Sequence, residues 1–118
     1  MFDHVVVPVT DADASRRFYE SALGPLGAKV MHESAGFVAL GGDSGFLALR
    51  QRDEVLPLHV AFRTDRAGVD AFYEAAIAAG GVDNGAPGLR PNYHANYYAA
   101  FVHDPDGHNI EAVSHSAA

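Results

Sequence analysis

His4 and His59 each open an apolar, valine-containing stretch that leads into the same helical signature. In one half this is Phe18-Tyr19-Glu20 followed by Ala22, and in the other Phe72-Tyr73-Glu74 followed by Ala76. A residue type that ligates metals therefore stands at the same place in two halves of one chain. Glu111, just past the turn Asp104-Pro105-Asp106-Gly107, is the third candidate. Two imidazoles and one carboxylate suit a divalent transition metal (Mn, Fe, Co, Ni or Zn), with coordination positions left open for a substrate.

The elements that must position these groups follow from apolar periodicity. Phe2 to Val9 alternates as a strand, Asp11 or Asp13 can cap a helix carrying Phe18, Ala22 and Leu23, and Gly24-Pro25 stops it. Three short strands are expected over 29–32, 37–40 and 46–51. The second half repeats the order, with a strand over 58–63, a helix over about 67–79 ended by Gly80-Gly81, and a hairpin within 97–113. Asn84-Gly85-Ala86-Pro87-Gly88 reads as part of a long loop. The expectation is an α+β fold of two tandem βαβββ modules, 1–52 and 57–115, within a single domain spanning 1–118. Duplication explains the repeat better than convergence, which would account only for apolar spacing.

Strand alternation assigns faces. Val5, Val7 and Val9 point away from His4, and Leu58, Val60 and Phe62 point away from His59. A four-residue loop over 104–107 would pair Phe101 with Ile110 and Ala100 with Glu111. In that register Tyr98 shares the helix-free face with Glu111, close enough to act as a catalytic acid. The three candidate ligands thus line a bowl formed by the sheet, with helices on its outer side. Arg63 shares the face of His59 and could meet an anionic group. Arg90, Tyr93 and His94 lie in a Gly- and Pro-rich segment suited to a lid or specificity loop. His103 and His108, on the helix side of that register, read as structural.

The net charge of −7 and eight dispersed Lys and Arg residues argue against nucleic acid. The 48% apolar and 19% charged shares fit a globular chain, and no apolar run approaches a membrane span. Cysteine is absent, excluding disulfides and thiolate metal sites, and Met1 is followed directly by strand-like sequence, so a cytoplasmic location is expected. The expected partner is a small molecule.

His4, Phe18-Tyr19, His59 and above all Asp104-Pro105-Asp106-Gly107-His108-Asn109-Ile110-Glu111 resemble the vicinal oxygen chelate superfamily, which includes glyoxalase I, fosfomycin-resistance proteins, extradiol dioxygenases and bleomycin-resistance proteins. The resemblance covers nearly the whole chain. It implies a cupped mixed sheet, a divalent metal on His4, His59 and Glu111, a substrate with vicinal oxygens, and a homodimer in which modules of two chains complete each bowl. Lyase, isomerase or dioxygenase chemistry follows from it, with non-catalytic sequestration of a drug, as in bleomycin-resistance members, as the alternative. The chain departs from glyoxalase I where a first-module glutamate is expected, since Leu49 or Ala48 falls there.

Overall fold

The computed structural model describes the whole chain, Met1–Ala118. Its first half runs β1 (His4–Val9), α1 (Ala12–Leu23), a 3-10 turn (Gly24–Leu26), β2 (Lys29–Ser34), β3 (Phe37–Gly42) and β4 (Gly45–Gln51). Its second half runs β5 (His59–Arg63), α2 (Arg66–Ala78), β6 (Val82–Asp83), β7 (Gly88–Leu89), β8 (Tyr98–His103) and β9 (Asn109–Ser114). No helix is long and apolar enough to cross a membrane. The segment after α2, where the βαβββ order calls for one strand and 84–88 reads as loop, contributes two short strands, β6 and β7, both paired to β8.

Both helices start as the sequence requires. Asp11 accepts the Ala14 N–H at 3.1 Å and Asp65 accepts the Gly68 N–H at 2.7 Å, each satisfying a donor that the first helical turn leaves open. The repeat is visible in the pairing: β1 lies parallel to β4, and β5 lies parallel to β9. One mixed sheet has the order β1-β4-β3-β2, the other β5-β9-β8-β6 with β7 also on β8. The fold class is the expected mixed α+β arrangement, and the β structure is divided into these two sheets, with β1 and β5 each at an edge.

One hydrophobic cluster joins the halves. It takes Val7, Val9, Leu47 and Leu49 from the first sheet, Phe18, Tyr19 and Phe72 from the helices, and Val102, Ile110 and Ala112 from the second sheet. The chain turns into this core at Gly81, where an added Cβ would sit 2.8 Å from the Ala76 carbonyl oxygen and 2.9 Å from Phe18 Cε1. Overpacking a rigid backbone contact of this kind costs about 1–3 kcal/mol. Gly81→Ala is therefore expected to lower stability by that amount in urea unfolding, and an unchanged midpoint would contradict the packing.

The hairpin register differs from the four-residue loop expected above. His103 pairs with Asn109, Phe101 with Glu111 and Ala100 with Ala112, leaving residues 104–108 as the loop. The shift of one residue exchanges the faces of β8. Phe101 joins Glu111 on the helix-free side, and Tyr98 turns to the helices, where its hydroxyl donates to Asp70 at 2.6 Å beneath the Arg66 guanidinium. That bond, then desolvation, pushes the Tyr98 phenol above its ordinary range. Tyr98 is thus removed from the open face on which an acid was expected.

Candidate functional site

Glu111 is the centre of the site. It lies on β9, only 2% exposed, on the helix-free face of the second sheet. A buried carboxylate without partners would be strongly unfavourable, and both of its oxygens are engaged: Oε1 lies 2.8 Å from His59 Nε2, and Oε2 accepts the Tyr97 hydroxyl at 2.5 Å. Parallel pairing explains the first contact. His59 stands opposite Asn109 and Ala61 opposite Glu111, so the imidazole reaches along one face past a small alanine. The His59 side chain remains 51% exposed and presents the pair to solvent.

Tyr97, just before β8, occupies the position expected for Tyr98. Burial first, and then the bond to Glu111, push its phenol up to about 12, against a smaller opposing effect of Arg90. The neutral phenol is the form that donates. Because the folded value is raised, this contribution is complete below the unfolded value of about 10 and is lost as pH rises through about 12. In the metal-free protein, the stability advantage of wild type over Tyr97→Phe should persist at pH 8 and shrink between about pH 10 and about 12, measured by chemical unfolding. A gap that widens over that window would contradict the assignment.

Further rings build a wall beside Tyr97. The Tyr93 ring lies 4.8 Å from it, and His94 and His115 stand edge-on at 5.4 and 5.3 Å. His94 Nδ1 accepts the Asn96 N–H at 3.1 Å, which leaves Nε2–H to donate to His115 Nδ1 at 2.9 Å. Tyr93 and His94, expected in a lid or specificity loop, stand beside Tyr97. The four-residue-loop register points to Tyr98 in place of Tyr97, and His115 follows the last strand with no local signal.

His4 is placed differently. Its ring stacks on Phe46 at 4.8 Å and its Nδ1 lies 2.6 Å from Asp3 Oδ1. It lines a cleft of about 750 Å³ with Phe2, Leu40, Ala61 and Arg63, a cleft that includes neither His59 nor Glu111. Arg63 is at the opposite end of β5 from His59. Within one chain, then, the structure unites His59 with Glu111 and leaves His4 apart. The parallel registers also settle which first-module residue corresponds to Glu111: His4 opposes Phe46 as His59 opposes Asn109, so two residues on, Ala48 matches Glu111.

A second polar group, Asp104, Asp106 and His108, brings potential ligand atoms within 4.8 Å of one another and could hold a metal. Those atoms are already occupied by bonds within the chain. Asp104 Oδ1 accepts the N–H groups of Asp106 and His108 at 2.9 and 2.8 Å, and Oδ2 accepts the Tyr19 hydroxyl at 2.5 Å. Asp106 accepts the Thr10 hydroxyl at 2.6 Å. His108 Nδ1 accepts the Leu58 N–H at 3.0 Å while Nε2–H donates to the Pro8 carbonyl at 2.7 Å. Gly107, at φ 82, turns the loop back on itself. The group acts as a latch tying the end of β1, helix α1 and the entry to β5 to one loop, in keeping with the structural role expected for His108.

Two halves, each with its first strand parallel to its last, and an imidazole–carboxylate pair on the helix-free face of the second sheet define an α+β class of fold. Residues 1–112 match the profile of the Glyoxalase/Bleomycin resistance protein/Dioxygenase superfamily, and the chain belongs to that family. It is similar to the crystal structure of a glyoxalase/bleomycin resistance protein from Albidiferax ferrireducens T118, with 28% identity, 97% of this chain and 98% of that one covered, and a TM-score of 0.83. An integron cassette protein from the mobile metagenome of V. cholerae shares 26% identity over 98% and 95% of the two chains, with a TM-score of 0.74. Lactoylglutathione lyase from Agrobacterium tumefaciens shares the fold at 19% identity, covering 97% and 92%, with a TM-score of 0.75. No curated protein matches the chain.

Proposed function

We propose that the protein is a metal-dependent small-molecule enzyme of the glyoxalase or dioxygenase type. The observation that carries this reading is the Glu111 carboxylate, buried on an open sheet face with one oxygen 2.8 Å from the nitrogen of a half-exposed imidazole. The donor set fits manganese, iron, cobalt, nickel or zinc, which accept imidazole and carboxylate ligands. His59 Nε2 and Glu111 would hold the ion, and His4 of a second copy would complete the set. β1 and β5 are edge strands, and β1 exposes Val5 and Val6 along with His4. A homodimer that covers these edges would bring a first module against a second one.

A bound divalent ion supplies Lewis-acid stabilisation to a substrate with two adjacent oxygens, favouring lyase, isomerase or dioxygenase chemistry. The chain's own groups do the remaining work. Tyr97 fixes Oε2 of Glu111 and, with its phenol raised to about 12, keeps its proton at neutral pH and acts as a donor. With Nδ1 accepting from His94, neutral His115 carries its hydrogen on Nε2, the nitrogen without a partner in the chain, and it is the candidate to donate to a substrate oxygen. Tyr93 offers an exposed aromatic face for packing.

A non-catalytic, drug-sequestering role of the bleomycin-resistance type is the second reading. Both Glu111 oxygens are satisfied without metal, and Ala48 replaces a first-module carboxylate. Titration of tag-free protein with Mn, Co, Ni and Zn separates the two. About one tightly held ion per chain, lost in His59→Ala, supports the enzyme reading. Absence of uptake, with stoichiometric capture of an organic ligand and no product, favours sequestration.

A further inference from the structure

Arg90 extends along the same helix-free face as Glu111. Its N–H donates to the Tyr97 carbonyl at 2.7 Å, continuing the β7–β8 ladder in which Gly88 opposes Ala99 and Leu89 opposes Tyr98. Arg90 and Tyr97 are therefore cross-strand neighbours on one face. From there the side chain folds back over Gly88, and its guanidinium carbon lies 5.4 Å from the centre of the Phe101 ring. Phe101 is directly opposite Glu111 on the next strand, and its ring centre is 6.4 Å from that of His59. With neighbouring strands about 5 Å apart, the guanidinium is within a small molecule's length of the imidazole–carboxylate pair.

The guanidinium is held in place without being neutralised. It donates to the carbonyls of Gly88 and Ala86, each at 2.9 Å, and takes part in none of the chain's ion pairs. The space it fills is one that side chains would close: a Cβ on Gly88 would meet Nη1 at 3.2 Å, and one on Gly85 would meet Nη2 at 3.1 Å and Phe101 at 3.0 Å. Fifteen acidic residues outnumber eight basic ones in this chain, yet none of them pairs with this cation. A guanidinium has five N–H donors, so the two carbonyls leave others free, in a planar arrangement matched to a carboxylate or phosphate.

We infer that Arg90 is the seat for an anionic group on the substrate, making that substrate a carboxylate- or phosphate-bearing molecule whose vicinal oxygens face His59 and Glu111. The inference rests on the metal-site reading above. Phe101 provides the apolar floor between the two anchors, and the bonds to Gly88 and Ala86 reduce the ordering needed when the anion arrives.

The probes that test this are protocatechuate, a catechol carrying a ring carboxylate, and methylcatechol, which is similar in shape and neutral, each titrated into the metal-loaded protein. Wild type should bind protocatechuate about 10- to 100-fold more tightly than methylcatechol, the range of a charged hydrogen-bonded pair. Arg90→Gln should abolish the difference by weakening protocatechuate about 10- to 100-fold while methylcatechol changes far less, and Arg90→Lys should retain part of it. A role confined to bracing the loop would weaken both probes alike. Equal affinities in wild type, or a preference that survives in Arg90→Gln, would overturn the inference alone. Failure of the protein to load a divalent metal would overturn the metal-site reading and the inference with it, whereas failure of the metal-loaded protein to bind either catechol would overturn the inference alone.

Discussion

Asp104→Ala is expected to lower unfolding free energy by about 3–5 kcal/mol, near the upper end for single substitutions. The variant removes one carboxylate and leaves three donors without acceptors: the buried Tyr19 hydroxyl and the N–H groups of Asp106 and His108. Each unsatisfied buried donor costs about 1–3 kcal/mol, and the loop that positions His108 against Pro8 and Leu58 loses its internal brace. A loss of this size is a large fraction of the ~5–15 kcal/mol typical of a small domain. Tyr19→Phe should cost less, and the double variant should be less destabilised than the sum, because the same bond is removed twice. Unfolding by urea measures all three. A loss below about 1 kcal/mol for Asp104→Ala would show that the latch contributes little.

The second large effect is on metal affinity. Glu111→Gln keeps the volume of the side chain and an acceptor for the Tyr97 hydroxyl but removes the charge that attracts a cation. Divalent metal affinity should fall by more than about 100-fold, beyond what is usual for residues that only support a ligand. The metal-free variant should remain folded, since a buried carboxylate is exchanged for a neutral amide that can still meet both His59 and Tyr97. Calorimetric titration together with a melting curve reads both quantities. Undiminished affinity would remove Glu111 from the site.

Much of this arrangement can be read from the sequence because it rests on alternation. His59 and Glu111 share a face because each lies opposite the core-facing residues of its own strand, Val60 and Phe62 in β5 and Ile110 and Ala112 in β9, and that alternation is local. The His-Val repeat and the paired helical signatures likewise indicated two modules. What escaped depends on contacts distant in sequence. The hairpin loop takes in one more residue than a simple turn needs because His108 is drawn inward to Leu58 and Pro8, separated from it by 50 and 100 positions. That single extra residue moves Tyr98 to the helix side and brings Tyr97 to Glu111. The separation of His4 from His59 is equally hidden, because alternation assigns a side chain to a face without saying which sheet edge it will meet.

The proposed divalent metal site takes His59 and Glu111 from one copy and His4 from another. Its most direct test is subunit complementation. Purified His4→Ala and His59→Ala proteins are each expected to hold no tightly bound metal. Unfolded together and refolded as a mixture, they form heterodimers in which one of the two sites has its full set of ligands, so metal binding should return at about one ion per heterodimer. No recovery on mixing, or full metal binding by His4→Ala alone, would contradict a site shared between copies.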